Sequence, residues 1–141
     1  MSRKQHKAWL KVTAVVVAIG GPIFSLGAVP GMTEPARLTL DILSWPLDGA
    51  TTYASADTRF LSALTGGFLL GWGVMIWRLV DLAYDAAPEA VRRAVVSGLV
   101  AWFLADSAGS IASGAASNAL FNVAVLLIAV GPLWRPARDP A

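Results

Sequence analysis

Cysteine is absent from these 141 residues, and histidine occurs once, at His6. The first absence excludes disulfides, a thiolate nucleophile, iron–sulfur clusters and Cys-ligated zinc. The second excludes bis-histidine haem, His-ligated chlorophyll and His-based metal sites within the apolar segments, because His6 stands in a basic N-terminal tail ahead of them. No cofactor and no metal site is expected. Charge is also scarce, at 14% of residues, and lysine does not recur after Lys11. No phosphate-binding G-x-x-x-x-G-K-[ST] loop, H-E-x-x-H helix or G-x-S-x-G elbow is present, so the familiar motifs of soluble enzymes give no support for catalysis.

Apolar material is what the chain has in excess. Hydrophobic residues make up 56% of it and the mean hydropathy is +0.62, more than one small water-soluble core could bury. Lipid must cover the rest. Four apolar segments, 12–29, 60–82, 94–112 and 115–133, are each about as long as the ~20 residues a helix needs to cross a bilayer. The expected fold class is therefore all-α: a single membrane domain built as an integral bundle of four transmembrane helices.

A formal net charge of +2 would suggest an anionic partner in a soluble protein. Here the basic residues cluster just outside the apolar segments, which reads as membrane topology rather than nucleic-acid binding. Arg3, Lys4, Lys7 and Lys11 precede the first segment; Arg78, Arg92 and Arg93 flank the connection between the second and third; Arg135 and Arg138 follow the fourth. An even number of crossings puts all of these on one face and leaves Arg37 and Arg59 on the other, so both termini are expected to be cytoplasmic. Trp9, Trp77 and Trp134 fall at the same predicted depth, where a tryptophan ring is buried and its N–H is wet. Arg78 and Asp81, close to Asp85, Glu89, Arg92 and Arg93, read as a solvated cluster at that interface. The basic start followed by an apolar run has the outline of a signal peptide, but the run is long, Pro22 interrupts it and no small-x-small site follows. A retained first helix is expected, kinked at Gly20-Gly21-Pro22.

The long outer loop, 30–58, carries Glu34, Asp41, Asp48 and Asp57. Within it Thr33-Glu34-Pro35 resembles a helix start, and Leu38, Ile42 and Trp45 recur at helical spacing before Pro46. A short interfacial helix lying on the membrane surface is expected; the same apolar face would also suit a cap on the bundle or a partner.

Helices in lipid meet through small residues and through polar groups that need partners. Gly67 and Gly71 form a G-x-x-x-G pair in the second segment, and Ser97, Ala101, Ala105, Gly109 and Ser113 form a small-residue stripe in the third. Close packing of these two helices through Gly67, Gly71, Ala101, Ala105 and Gly109 is expected. Polar residues concentrate from Asp106 to Gly114, with Asn118 and Asn122 one turn apart in the fourth segment. An ionised Asp106 inside the bilayer needs a partner, and Arg59 is the basic residue at suitable depth. The expected cluster is Arg59, Asp106, Ser110, Asn118 and Asn122. It reads either as a tie between helices or as an outward-opening ligand or proton site.

Asp57-Thr58-Arg59-Phe60-Leu61 leading into Gly66-Gly67 and Gly71-Trp72-Gly73, with one helix and a long loop before them, resembles the small four-helix bacterial membrane proteins of the DoxX-like and DUF4345 families. That resemblance implies an antiparallel four-helix bundle.

The Ala- and Arg-rich composition hints at a high-GC bacterium, and the inner membrane is the expected location. Small size and the lack of cofactor ligands favour a non-catalytic accessory, assembly or stabilising subunit of a larger membrane complex. The alternative is a small transporter or a lipid- or metabolite-binding protein that uses the Arg59 and Asp106 cluster. A third class is an intramembrane enzyme, such as an isomerase, with Asp106 as acid or base, though a single candidate acid lacks a paired base. Expected partners are the lipid bilayer and other membrane subunits or further copies of the chain.

Overall fold

Ser2 opens the first helix with a capping box: its hydroxyl accepts from Gln5 N at 3.3 Å, and its own N–H donates to Gln5 Oε1 at 3.0 Å. The computed structural model describes residues 1–137, so Arg138 lies outside the described residues. The first apolar segment is split into α1 (Arg3–Ala18) and α2 (Gly20–Leu26). The break falls at Ile19, just before the expected Gly20-Gly21-Pro22, where Pro22 has no N–H to continue the ladder. Then come α3 (Glu34–Ser44), α4 (Ala56–Ala83), α5 (Pro88–Ala112) and α6 (Ala116–Val130), which continues as a 3-10 turn, Gly131–Trp134. The described chain is all-helical, without a β-strand. Four helical stretches are long and apolar enough to cross a membrane: Arg3–Leu26, Ala56–Ala83, Pro88–Ala112 and Ala116–Trp134.

The helices alternate in direction, so one end of the bundle gathers the start of α1, the α4–α5 turn and the 3-10 turn. Three contacts fix this terminal end. Arg92 Nη1 donates to Leu133 O at 2.8 Å, Lys7 pairs with Asp85 at 2.6 Å, and Lys11 pairs with Asp81 at 2.7 Å. Asp81 thus takes Lys11 from another helix rather than Arg78, its neighbour on α4. The apolar core sits in this half: Leu10, Ala14 and Val17 of α1, Ile76, Val80 and Tyr84 of α4, Val91, Val95 and Leu99 of α5, and Ala129, Val130 and Leu133.

His6 is part of α1 and fully buried, not a residue of a free tail. Its Nδ1 lies 2.9 Å from the Tyr84 hydroxyl, which donates to Arg3 O at 3.3 Å. Burial pushes the Tyr84 phenol above its ordinary value.

Helix pairing departs from the sequence expectation. Gly67 and Gly71 face open space, and Ala101, Ala105 and Gly109 are exposed. On α4 the seated glycines are Gly66 and Gly73. A Cβ on Gly73 would lie 2.6 Å from Ala14 O, and one on Gly66 would lie 2.5 Å from Ser25 N. These glycines bring α4 to backbone contact with α1 and α2, while α5 pairs with α6. The reason is azimuthal. Ser62, Gly66, Gly73, Ile76 and Val80 recur at steps of three, four and seven and define the buried face of α4. Gly67 and Gly71 share a different face with each other. On α5 the buried positions are Val91, Val95 and Leu99, and the small-residue stripe runs elsewhere.

Past Leu99 no residue of α5 is buried, so α4 and α5 are joined near the middle by Trp72 and Trp102, with ring centroids 6.4 Å apart, and open beyond. At that far end α3 crosses the bundle. Its Ala36 and Asp41 are buried, while Leu38, Ile42 and the Trp45 that follows its last turn are exposed. Asp41 accepts from Gly49 N at 3.1 Å and Thr51 Oγ1 at 3.4 Å, which folds the following loop back onto the helix.

Candidate functional site

The polar stretch ending α5 and the start of α6 are brought face to face by a tight turn at Gly114, whose φ of 87° suits a residue without a Cβ. Asp106 and Ser110 lie one turn apart on α5, as do Asn118 and Asn122 on α6, so each pair presents one face to the other. Asn118 Nδ2 donates to Asp106 Oδ2 at 2.9 Å and to Ser110 Oγ at 2.8 Å. Asn122 Nδ2 donates to the same Asp106 Oδ2 at 2.6 Å and to Ser107 Oγ at 3.2 Å. Both amides have thereby used both of their hydrogens, and both converge on a single carboxylate oxygen. No described side chain donates to Asp106 Oδ1.

Four of the five expected cluster residues are together: Asp106, Ser110, Asn118 and Asn122. Arg59 is not among them. Its Nη1 donates to Tyr53 O at 2.9 Å and to Ala54 O at 2.6 Å, and no described ion pair joins it to Asp106. On the first turn of α4 the guanidinium reaches back to two carbonyls of the irregular approach to its own helix, carbonyls that would otherwise need water. Arg59 also does not line the cavity that Asp106 faces, although Thr58, Leu61 and Ser62 beside it on α4 do. Ser107 is the contributor not singled out beforehand; its position one turn before Ser110 on the same polar stretch was the available signal.

Asp106, Asn118 and Asn122 form one wall of a cavity of about 450 Å³ between the far halves of the helices, within the range usual for small-molecule sites. Leu40 and Leu43 of α3 roof it, Phe24 of α2 and Leu69 of α4 line the opposite side, and Trp102 stands one turn below Asp106. The roof is pinned to α6 where Ser117 Oγ donates to Leu43 O at 2.6 Å. Another wall is held by hydroxyls: Ser62 Oγ donates to Phe24 O at 2.7 Å, and with that hydrogen committed, Tyr53 Oη must donate to Ser62 Oγ at 3.2 Å. Leu61 and Thr65 line the cavity and are also exposed, so it opens between α4 and α5.

Among the described residues no group of three or more His, Cys, Asp or Glu is placed to hold a metal ion. Chemically the cavity offers the Asp106 carboxylate, the Trp102 indole and the hydroxyls of Tyr53, Thr58, Ser62 and Thr65 on a lining that is otherwise mostly apolar. Among the described residues it holds no second titratable side chain beyond the Tyr53 phenol, which is engaged with Ser62. No protein-family model, curated protein or solved structure matches this chain.

Proposed function

We propose that the chain is a four-span protein of a bacterial inner membrane that holds a membrane-derived amphiphile in the cavity beside Asp106. The observation carrying this reading is the cavity itself: a filled bundle would suit a purely structural subunit, whereas here the polar cluster forms a wall of an accessible space. Its opening lies between two helices whose outer surfaces are apolar, with Phe60, Leu61 and Phe68 of α4 and Leu104 and Ile111 of α5 more than half exposed. A ligand dissolved in the bilayer therefore enters sideways without crossing water.

The topology follows from charge. Arg3, Lys4, Lys7, Lys11, Arg78, Arg92, Arg93 and Arg135 lie toward the terminal end, and Arg37 and Arg59 toward the α3 end, which makes the terminal end cytoplasmic. The outward row Leu38, Ile42 and Trp45 then lets α3 lie at the external interface as a lid over the cavity.

A second reading, a non-catalytic accessory or stabilising subunit of a larger membrane complex, is favoured by the exposed small residues. Gly67 and Gly71 on α4, and Ala101, Ala105 and Gly109 on α5, permit close approach of a helix from another chain or another copy. One experiment separates the readings. The chain is isolated from native membranes in a mild detergent, and everything retained in stoichiometric amount is identified by mass spectrometry, alongside a Leu69→Trp variant that fills the cavity. A small amphiphile retained by the wild type and lost from the variant supports the binding reading. A defined multi-protein complex with no small molecule overturns it in favour of the subunit reading.

A further inference from the structure

We infer that the head of the bound amphiphile is an organic cation, an ammonium group recognised by Asp106 Oδ1 and the face of Trp102. This rests on the binding reading above and adds the charge of the ligand. Three observations converge on it.

The first is the balance of charge. Among the described residues Asp106 is the one ionisable acid on the cavity wall, and no Lys, Arg or His lines it. The two basic residues at this end of the bundle are engaged elsewhere, Arg59 with the carbonyls of Tyr53 and Ala54, and Arg37 with Glu34 at 3.0 Å. A carboxylate whose only donors are neutral amides on one oxygen is compensated in part, and a cation completes it.

The second is the state of the hydrogen-bond donors. Asn118 and Asn122 have spent both N–H groups on Asp106 Oδ2 and the serine hydroxyls. The hydroxyl hydrogens of Ser62 and Thr65 are committed to Phe24 O and Leu61 O. An anionic head would meet a carboxylate and few free donors, whereas an ammonium brings its own donors to a free acceptor.

The third is shape. Trp102 and Asp106 lie four residues apart on α5 and both face the cavity. A carboxylate and an indole on one helical face make two sides of an ammonium site, the ring attracting the cation through its quadrupole. Leu40, Leu43 and Leu69 then receive an alkyl chain.

The test uses the full chain in nanodiscs of zwitterionic lipid, with empty nanodiscs as background. Three radiolabelled probes share one chain length and differ in head charge: dodecylamine, which is cationic at pH 7, dodecanol and dodecanoate. The expected result is saturable binding of one dodecylamine per chain, at least tenfold tighter than dodecanol, with dodecanoate weakest. Asp106→Asn should bring dodecylamine down to the affinity of dodecanol, and Trp102→Leu should weaken dodecylamine several-fold. Equal binding of amine and alcohol to the wild type, or preference for dodecanoate, overturns the cation inference and leaves amphiphile binding standing. Absence of saturable binding by all three probes overturns both. The wild-type comparison needs no variant, so a folding defect in Asp106→Asn does not shield the inference.

Discussion

Asn122 is 4% exposed and Asn118 is more open, yet both donate to one oxygen of Asp106. The two amides should therefore contribute unequally. Asn122→Leu leaves a half-buried carboxylate with half its donors and should cost about 1–3 kcal/mol, while Asn118→Leu, where water reaches the gap, should cost less. Thermal unfolding of both variants in one detergent checks the order, and a larger loss at Asn118 would contradict it. Tyr84 makes a second prediction at this scale. Burial holds its phenol neutral above the ordinary value near pH 10, so the stability gained from the neutral form is complete below that pH and declines as pH rises through it. The chain has two tyrosines, and a Tyr53→Phe variant leaves one. Absorbance at 295 nm should then titrate above pH 10; a midpoint at or below it would mean that Tyr84 is solvated. Single residues were legible in the sequence where polarity interrupted an apolar run, as from Asp106 to Asn122. They were not legible where the cue was local. Basic neighbours made His6 look like a tail residue, and only the fold brings Tyr84 to it across 78 positions.

The helices themselves could be read from hydropathy and breakers. Pro46, Gly114 and the Gly20-Gly21-Pro22 step fall at or beside boundaries of α3, α5 and α2. Which faces meet could not be read, because a G-x-x-x-G pair states only that two glycines share a face. The buried face of α4 is written in its heptad-like spacing, Ser62, Gly66, Gly73, Ile76 and Val80, and that pattern outweighs the more conspicuous Gly67 and Gly71. Substitutions should separate the two sets sharply. Gly73→Leu must displace α1, since even a Cβ would meet Ala14 O and Ala18, and should destabilise by about 1–3 kcal/mol or more. Gly67→Ala together with Gly71→Ala meets nothing within 4 Å and should gain up to about 1 kcal/mol per site from the better helix former. Both are read as shifts in thermal unfolding in the same detergent. A destabilised Gly67→Ala, Gly71→Ala chain would show that these glycines face a partner helix, which is the accessory-subunit arrangement.

Across the whole molecule the two halves of the bundle are packed differently. The terminal half is packed around Leu10, Ile76, Leu99 and Leu133, all 2% exposed or less, and the far half is held apart around the cavity. Stability should therefore come mainly from the first half and ligand binding from the second. Leu99→Ala should cost about 2–5 kcal/mol while leaving dodecylamine affinity at a permissive temperature within a few-fold of wild type. The lack of cysteine turns the proposed orientation into a direct measurement, since any introduced thiol is the only one present. Ala50, in the loop after α3, and Ala86, in the α4–α5 turn, are both exposed alanines at opposite ends of the bundle. With the terminal end cytoplasmic, a membrane-impermeant maleimide should label Ala50→Cys in intact bacteria and Ala86→Cys only after the cells are opened. The reverse pattern would place the cavity roof and Asp106 on the cytoplasmic side, and the source of the ligand would move with them from the outer leaflet to the inner one.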